Sequence, residues 1–215
     1  GTEFTGYTTD GIKHLIQVLG EPHKRLKTVH VTGTNGKGTT CHILASALIN
    51  AGYKTGLFMS PHLLRLNERI SINLAEITDN ELFLFISEAD KAAKKFSIPV
   101  TSFDIVTAAS LCYFESMAVD IAVIETGLGG RLDSTNIINP ILSIITDISP
   151  DHTHILGETI EEITEEKCGI IKPGVPVITT NENEIITGII HKFSALNRAP
   201  LYMLNKSFSV EKLQE

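Results

Sequence analysis

The chain has 215 residues, 42% hydrophobic and 20% charged, with a net charge of −7 and a pI near 5.6. That length supports one large α/β domain with a real core, or two small ones. The acidic balance argues against a nucleic-acid backbone or an anionic membrane as partner, and no apolar run approaches the ~20 residues of a membrane span.

Cys41, Cys112 and Cys168 are far apart and form no C-x-x-C pair, so reduced cytoplasmic thiols are expected rather than disulfides or zinc. The opening GTEFTGYTTD lacks a signal-peptide core, and Gly1 is no natural start, so a trimmed chain is expected.

Residues 10–19 carry a helical stripe of Ile12, Leu15, Ile16 and Leu19, closed by Gly20. After the linker GEPHKRLK come a strand at 28–32, a glycine-rich loop and a helix over about 38–50. Residues 54–59 read as a second strand, and a βαβ unit of this kind implies parallel strands. Ser60-Pro61-His62 follows directly, then an alternating strand piece at 68–72. Thr78-Asp79 opens a helix to about residue 96, with Glu81 placed for a capping box. Residues 102–115 form an apolar and therefore buried helix.

Further strands are expected at 120–124, 141–145, 175–179 and 200–204, with helices at 159–170 and 184–196. This alternation predicts a three-layer α/β domain with a mostly parallel sheet. Ligands of such sheets sit outside the carboxyl ends of the strands. Four segments follow strands: the glycine loop, Ser60-Pro61-His62, residues 125–131 and residues 147–154. They should converge on one edge.

The glycine loop, V-H-V-T-G-T-N-G-K-G-T-T, holds the chemistry a phosphate needs. Gly33, Gly36 and Gly38 let backbone N–H groups approach an anion. Lys37 adds a point charge, Thr39 or Thr40 a hydroxyl for Mg²⁺, and the helix N-terminus its dipole. The pattern is shorter than G-x-x-x-x-G-K-[ST], since Val31 stands six before Lys37 and Gly38 follows it.

Glu125, straight off an apolar strand, reads as a metal ligand facing phosphates, or else as a salt bridge to Arg131. Gly127, Gly129 and Gly130 read equally well as a plain turn. His152 and His154, with Asp147 and Asp151, do not declare a role on their own. From spacing alone Lys167 reads as an i,i+4 ion pair with Glu162 or Glu161 on a solvated face.

Four blocks, HVTGTNGKGTTC, MSPHLLRLNERI, VIETGLGGRLDSTNII and DHTHILGETIEEITEEKCGIIKPG, resemble the Mur ligase superfamily. Within it they are most similar to folylpolyglutamate synthase/dihydrofolate synthase. The resemblance implies a P-loop NTPase-like domain of the Mur ligase central-domain type over residues 1–215. ATP would be held by Gly33, Thr34, Asn35, Gly36, Lys37, Gly38, Thr39 and Thr40. Ser60, Glu125, His152 and a carbamylated Lys167 would be metal ligands at two Mg²⁺ sites. Lys37, Lys167 and His152 would be catalytic. Thr101, Ser102, Phe103, Asp104, Leu132, Asp133 and Ser134 would line the pterin pocket.

The implied reaction joins L-glutamate to folate or dihydropteroate through an acyl phosphate, in a cytoplasmic monomer. The resemblance also implies that the C-terminal glutamate-ligase part is absent and that the chain alone does not turn over. Two other readings are a Mur-type ligase acting on a cell-wall nucleotide and an ATP-binding regulatory module without ligation. The SPHL and LGGRLDSTN blocks favour folate over the cell wall.

Overall fold

The computed structural model describes residues 8–210. Among these, eight strands form one sheet: β1 (Thr28–Thr32), β2 (Thr55–Phe58), β3 (Ile70–Ile72), β4 (Ala75–Glu76), β5 (Ile121–Glu125), β6 (Leu142–Ile145), β7 (Val177–Thr179) and β8 (Leu201–Met203). The helices are α1 (Asp10–Val18), α2 (Lys37–Asn50), α3 (Asp79–Lys95), α4 (Ser102–Ser116), α5 (Thr153–Leu156), α6 (Ile160–Cys168) and α7 (Glu184–Leu196).

The strand order is β4-β3-β2-β5-β1-β6-β7-β8. From β2 to β8 every pair is parallel, while β3 and β4 turn back antiparallel at one edge. The interior strands β1, β2 and β5 are buried on both faces, which explains their near-continuous apolar runs.

Successive residues serve opposite layers. Val29, Val31, Leu57 and Val123 pack with Cys41 and Ala45 of α2, whereas Phe58, Ala122 and Ile124 pack with α1, α3 and α4. Beyond β1, Ile145 and Val177 join α6 and α7 in a further cluster. The expected α/β layering is observed.

Local chemistry explains where helices begin. Thr78 and Glu81 form the expected capping box, and Thr101 with Asp104 and Thr159 with Glu162 repeat it. Each box satisfies two otherwise unpaired N–H groups at a helix start. Two elements were not expected. The two-residue β4 offers no periodicity to read, and α5 starts only after His152 takes a left-handed φ of 47°.

Candidate active site

The strands β2, β5, β1 and β6 are consecutive and parallel, so their carboxyl ends lie side by side. The four segments expected to converge therefore share one edge. This is the usual place for a ligand of an open α/β sheet.

The glycine loop is pinned to the segment after β6. Thr34 N–H donates to Asp147 O at 2.6 Å and Thr34 Oγ1 to Ser149 O at 3.0 Å. Asn35 Nδ2 donates to Asp147 Oδ2 at 2.9 Å, and Thr146 Oγ1 donates to Asn35 O at 2.8 Å. The side chains of Thr34 and Asn35 thus hold the loop in shape. The N–H groups that open α2 remain for an anion, with Thr39 exposed and Lys37 half-buried beside them.

Lys37 Nζ donates back to Gly33 O at 3.0 Å and Thr34 O at 3.2 Å. An apolar cleft of about 450 Å³, lined by Thr40, Ile144, Ile178 and Phe208 among others, opens beside Gly36.

Two glycines of the loop are required for different reasons. Gly36 caps α2 at φ 81° with open space around it, whereas a Cβ on Gly33 would overlap Thr146 Oγ1. Gly36→Ala should therefore cost about 1–2 kcal/mol, from left-handed strain alone. Gly33→Ala should cost more, because Thr146 must move. Thermal unfolding of the two variants ranks them, and a smaller shift for Gly33→Ala would contradict the packing argument.

Glu125 ends β5 and is 3% exposed. Its Oε2 accepts from Ser60 N–H at 3.1 Å, and its carboxylate lies about a van der Waals contact from where a Cβ on Gly38 would sit. Burial pushes its pKa above the usual carboxylate range, against the Ser60 hydrogen bond and the charge of Lys37. A buried carboxylate beside a serine offers hard oxygen donors, which fits Mg²⁺, while the adjoining helix N-terminus suits the anionic phosphates such an ion would accompany. The alternative pairing with Arg131 is not formed: Arg131 pairs with Glu166 instead.

The reading of Lys167 as a solvated ion pair is wrong. Its residue is 3% exposed, and Nζ donates to Gly33 O at 2.8 Å, across 134 residues of sequence. Glu162 is committed to the N-terminal box of α6. Close backbone packing brings Lys167 there: Arg131 N–H donates to Glu166 O at 2.8 Å, and a Cβ on Gly130 would lie 2.8 Å from Lys167 O. Lys37 and Lys167 thus share one carbonyl. Burial, and then the charge of Lys37, pull the Lys167 amine down to about 8, against Asp151 and Asp147.

His152 is not gathered with these groups. Its side chain is 51% exposed and lies 3.7 Å from Asp151. Among the described residues no three His, Cys, Asp or Glu side chains are grouped to hold a metal.

The two segments expected to line a pterin pocket do come together. Ser134 Oγ donates to Asp104 Oδ1 at 2.7 Å, joining the two separately expected segments. Asp104 also accepts from Thr101, and Asp133 accepts from Leu128 N–H and from Thr135. Both aspartates are buried supports, while Thr101, Ser102 and Leu132 are exposed and Phe103 is half-buried. A Cβ on Gly127 would lie 2.6 Å from Phe103 Cζ, so that glycine makes room for the ring.

Under this network sits His30, which the sequence reading passed over. It is fully buried, with Nε2 2.8 Å from Thr135 Oγ1. Burial lowers its pKa to about 3, so the ring is neutral. Since Thr135 Oγ1 donates to Asp133, the Nε2 of His30 carries the hydrogen. A histidine in the centre of TVHVT, a strand buried on both faces, was the available signal.

Residues 31–197 match the Mur ligase middle domain family. The chain is 42% identical over 200 residues to a dihydrofolate synthase/folylpolyglutamate synthase of Bacillus subtilis, covering 90% of this chain and 46% of that protein. It is 37% identical over 203 residues to a folylpolyglutamate synthase of Lacticaseibacillus casei, covering 92% and 47%. Among solved structures, a folylpolyglutamate synthase complex with AMPPCP and folate superposes with a TM-score of 0.93 at 36% identity, covering 98% of this chain and 53% of that one. The chain spans about half the length of the curated relatives it matches.

Proposed function

The chain belongs to the Mur ligase family, and from that premise we propose that it is the ATP-binding half of a ligase joining L-glutamate to folate or dihydropteroate. The observation that carries the reading is Lys167, buried with Nζ 2.8 Å from Gly33 O. A nucleotide switch needs one metal and a water. A second buried amine at the phosphate loop, with its pKa near 8, suits a carbamate instead. Carbamylation joins the neutral amine nitrogen to CO₂ and releases a proton, turning a cation into an oxygen donor.

In the proposed reaction a carboxylate oxygen of the acceptor attacks the γ-phosphorus of ATP, and ADP leaves. The amine of L-glutamate then attacks the acyl carbon. Phosphate departs with the electron pair, and the nitrogen gives up a proton as the amide forms. Lys37 and the opening N–H groups of α2 hold the phosphates, so the work is chiefly positioning and charge neutralisation. Bound Mg²⁺ would offset charge on the transferring phosphoryl group. Ser60 and Glu125 would hold one ion, and the oxygens of a carbamylated Lys167 would be donors to a second; His152, half-exposed and apart from them, is not assigned to either ion.

We further propose that the complementary half supplies the remaining nucleotide and glutamate contacts, and that the enzyme works as a cytoplasmic monomer. The test is ADP release from Mg²⁺-ATP by the protein at the length of its relatives. Release is expected only with an acceptor, and amide formation only with L-glutamate as well. The 215-residue chain alone should not turn over. Acceptor-independent ADP release, or ligation by this chain alone, would contradict the proposal.

A further inference from the structure

The edge divides into two halves. The glycine loop, Asp147 and Lys167 cluster around β1 and β6, while Ser60, His62, Arg69 and Phe103 cluster around the end of β2 and the loop after β5. Among the described residues, the second half contains a cation without a counter-ion. Arg69 immediately precedes β3 and is fixed at the end of β2, because its carbonyl accepts from Met59 N–H at 2.9 Å. Its Nε donates to His62 Nδ1 at 2.9 Å, and its guanidinium lies 6.0 Å from the centroid of the Phe103 ring. Phe103 in turn packs 6.0 Å from Phe58, centroid to centroid.

Among the described residues, neither terminal nitrogen of Arg69 has a hydrogen-bond partner, and no carboxylate lies within ion-pairing distance. The nearby acids are committed. Glu68 accepts from the N–H groups of Leu63, Leu64 and Arg65, Glu76 pairs with Arg65, and Glu125 accepts from Ser60. A half-buried guanidinium held by its Nε and stacked near an aromatic ring presents its terminal fork ready-made.

We propose that Arg69 is a carboxylate clamp for the acceptor, binding a second carboxylate that does not react. The inference rests on the folate-ligase reading above. Arg69 leads into β3, and β2 and β5 lie between β3 and β1, so its backbone stands three strand spacings from the phosphate loop, about 14 Å, part of which its long side chain spans toward Phe103. The carboxylate that takes the phosphoryl group must reach that loop, so the group at Arg69 is another one. A folate with a glutamyl tail carries one in its α-carboxylate, whereas dihydropteroate carries none. His62 fixes the fork: because Arg69 donates to Nδ1, the His62 ring is neutral there and keeps its hydrogen on Nε2.

The test compares equilibrium binding of tetrahydropteroyl-monoglutamate with its γ-aminobutyrate analogue. The analogue keeps the reacting carboxylate and lacks the α-carboxylate. The full-length protein should bind the glutamate form about ten- to a hundredfold tighter. Arg69→Ala should bring the two ligands to within a fewfold of each other. Arg69→Lys, a point charge without the fork, should keep part of the difference, and circular dichroism of both variants checks folding. Equal binding by the unsubstituted protein, or a preference that survives Arg69→Ala, overturns the clamp and leaves the ligase reading intact. Failure of the unsubstituted protein to bind either pterin overturns the folate reading and the clamp with it.

Discussion

Replacing Lys167 with alanine is expected to lower kcat/KM for ligation by about a thousandfold, on the order of 4 kcal/mol, while the domain stays folded. The side chain is buried at the phosphate loop, and it donates a hydrogen bond to Gly33 O. Its loss removes both a loop contact and the proposed carbamate. Lys167→Met, which fills the space with an apolar stem, separates the two effects: it should fold well and stay inactive. A short carboxylate added to Lys167→Ala should restore part of the rate by occupying the vacated oxygen position.

The pH dependence follows from the amine near 8. Carbamate formation needs the neutral amine, about a tenth of the population at pH 7 and half near pH 8. With ¹³C-bicarbonate the labelled carbamate should therefore grow as pH rises through that range. It should be absent from Lys167→Met. Full ligase activity in Lys167→Met would remove the lysine from the mechanism.

Glu125→Gln has the second large effect, in opposite directions for activity and stability. Ligation should fall by at least about a hundredfold and need more Mg²⁺, because a hard-cation donor has lost its charge. Stability without metal should rise. Burial raises the folded pKa of Glu125 above its unfolded value. The folded state then favours the protonated form, and its contribution to stability is present at low pH and lost as pH rises through the folded pKa. Glutamine resembles the protonated carboxyl and can keep the acceptor for Ser60 N–H, so at neutral pH the metal-free variant should unfold at a higher temperature. A lower unfolding temperature would mean that Glu125 serves the fold rather than a cation.

The parts of this protein governed by local chemistry were legible in the sequence. Thr78 and Glu81 declare a helix start because the capping box closes within four residues. The strand at 28–32 and the helix at 184–196 have the expected bounds, since apolar runs and stripes are read directly from neighbours. Convergence of four loops followed from handedness and strand polarity alone.

Tertiary placement was not legible. Lys167 lies in the run EEITEEK, where charge spacing favours a solvated ion pair. Its burial arises from the close approach of Gly130 and Arg131 to the end of α6, far away in sequence. The alternative pairing of Arg131 with Glu125 is not formed, and Arg131 is found with Glu166 for the same reason. Arg69 left no local trace either, because what matters is the acid that is missing around it.

The most direct test of the account is the mass of the product. The full-length protein would be incubated with Mg²⁺-ATP and L-glutamate, with either dihydropteroate or tetrahydrofolate as acceptor. Gain of one glutamyl residue on at least one acceptor, with ADP formed alongside, is the predicted result. No mass gain on either acceptor, with ADP still released, would contradict it and leave a nucleotide site without the ligation built around Lys167.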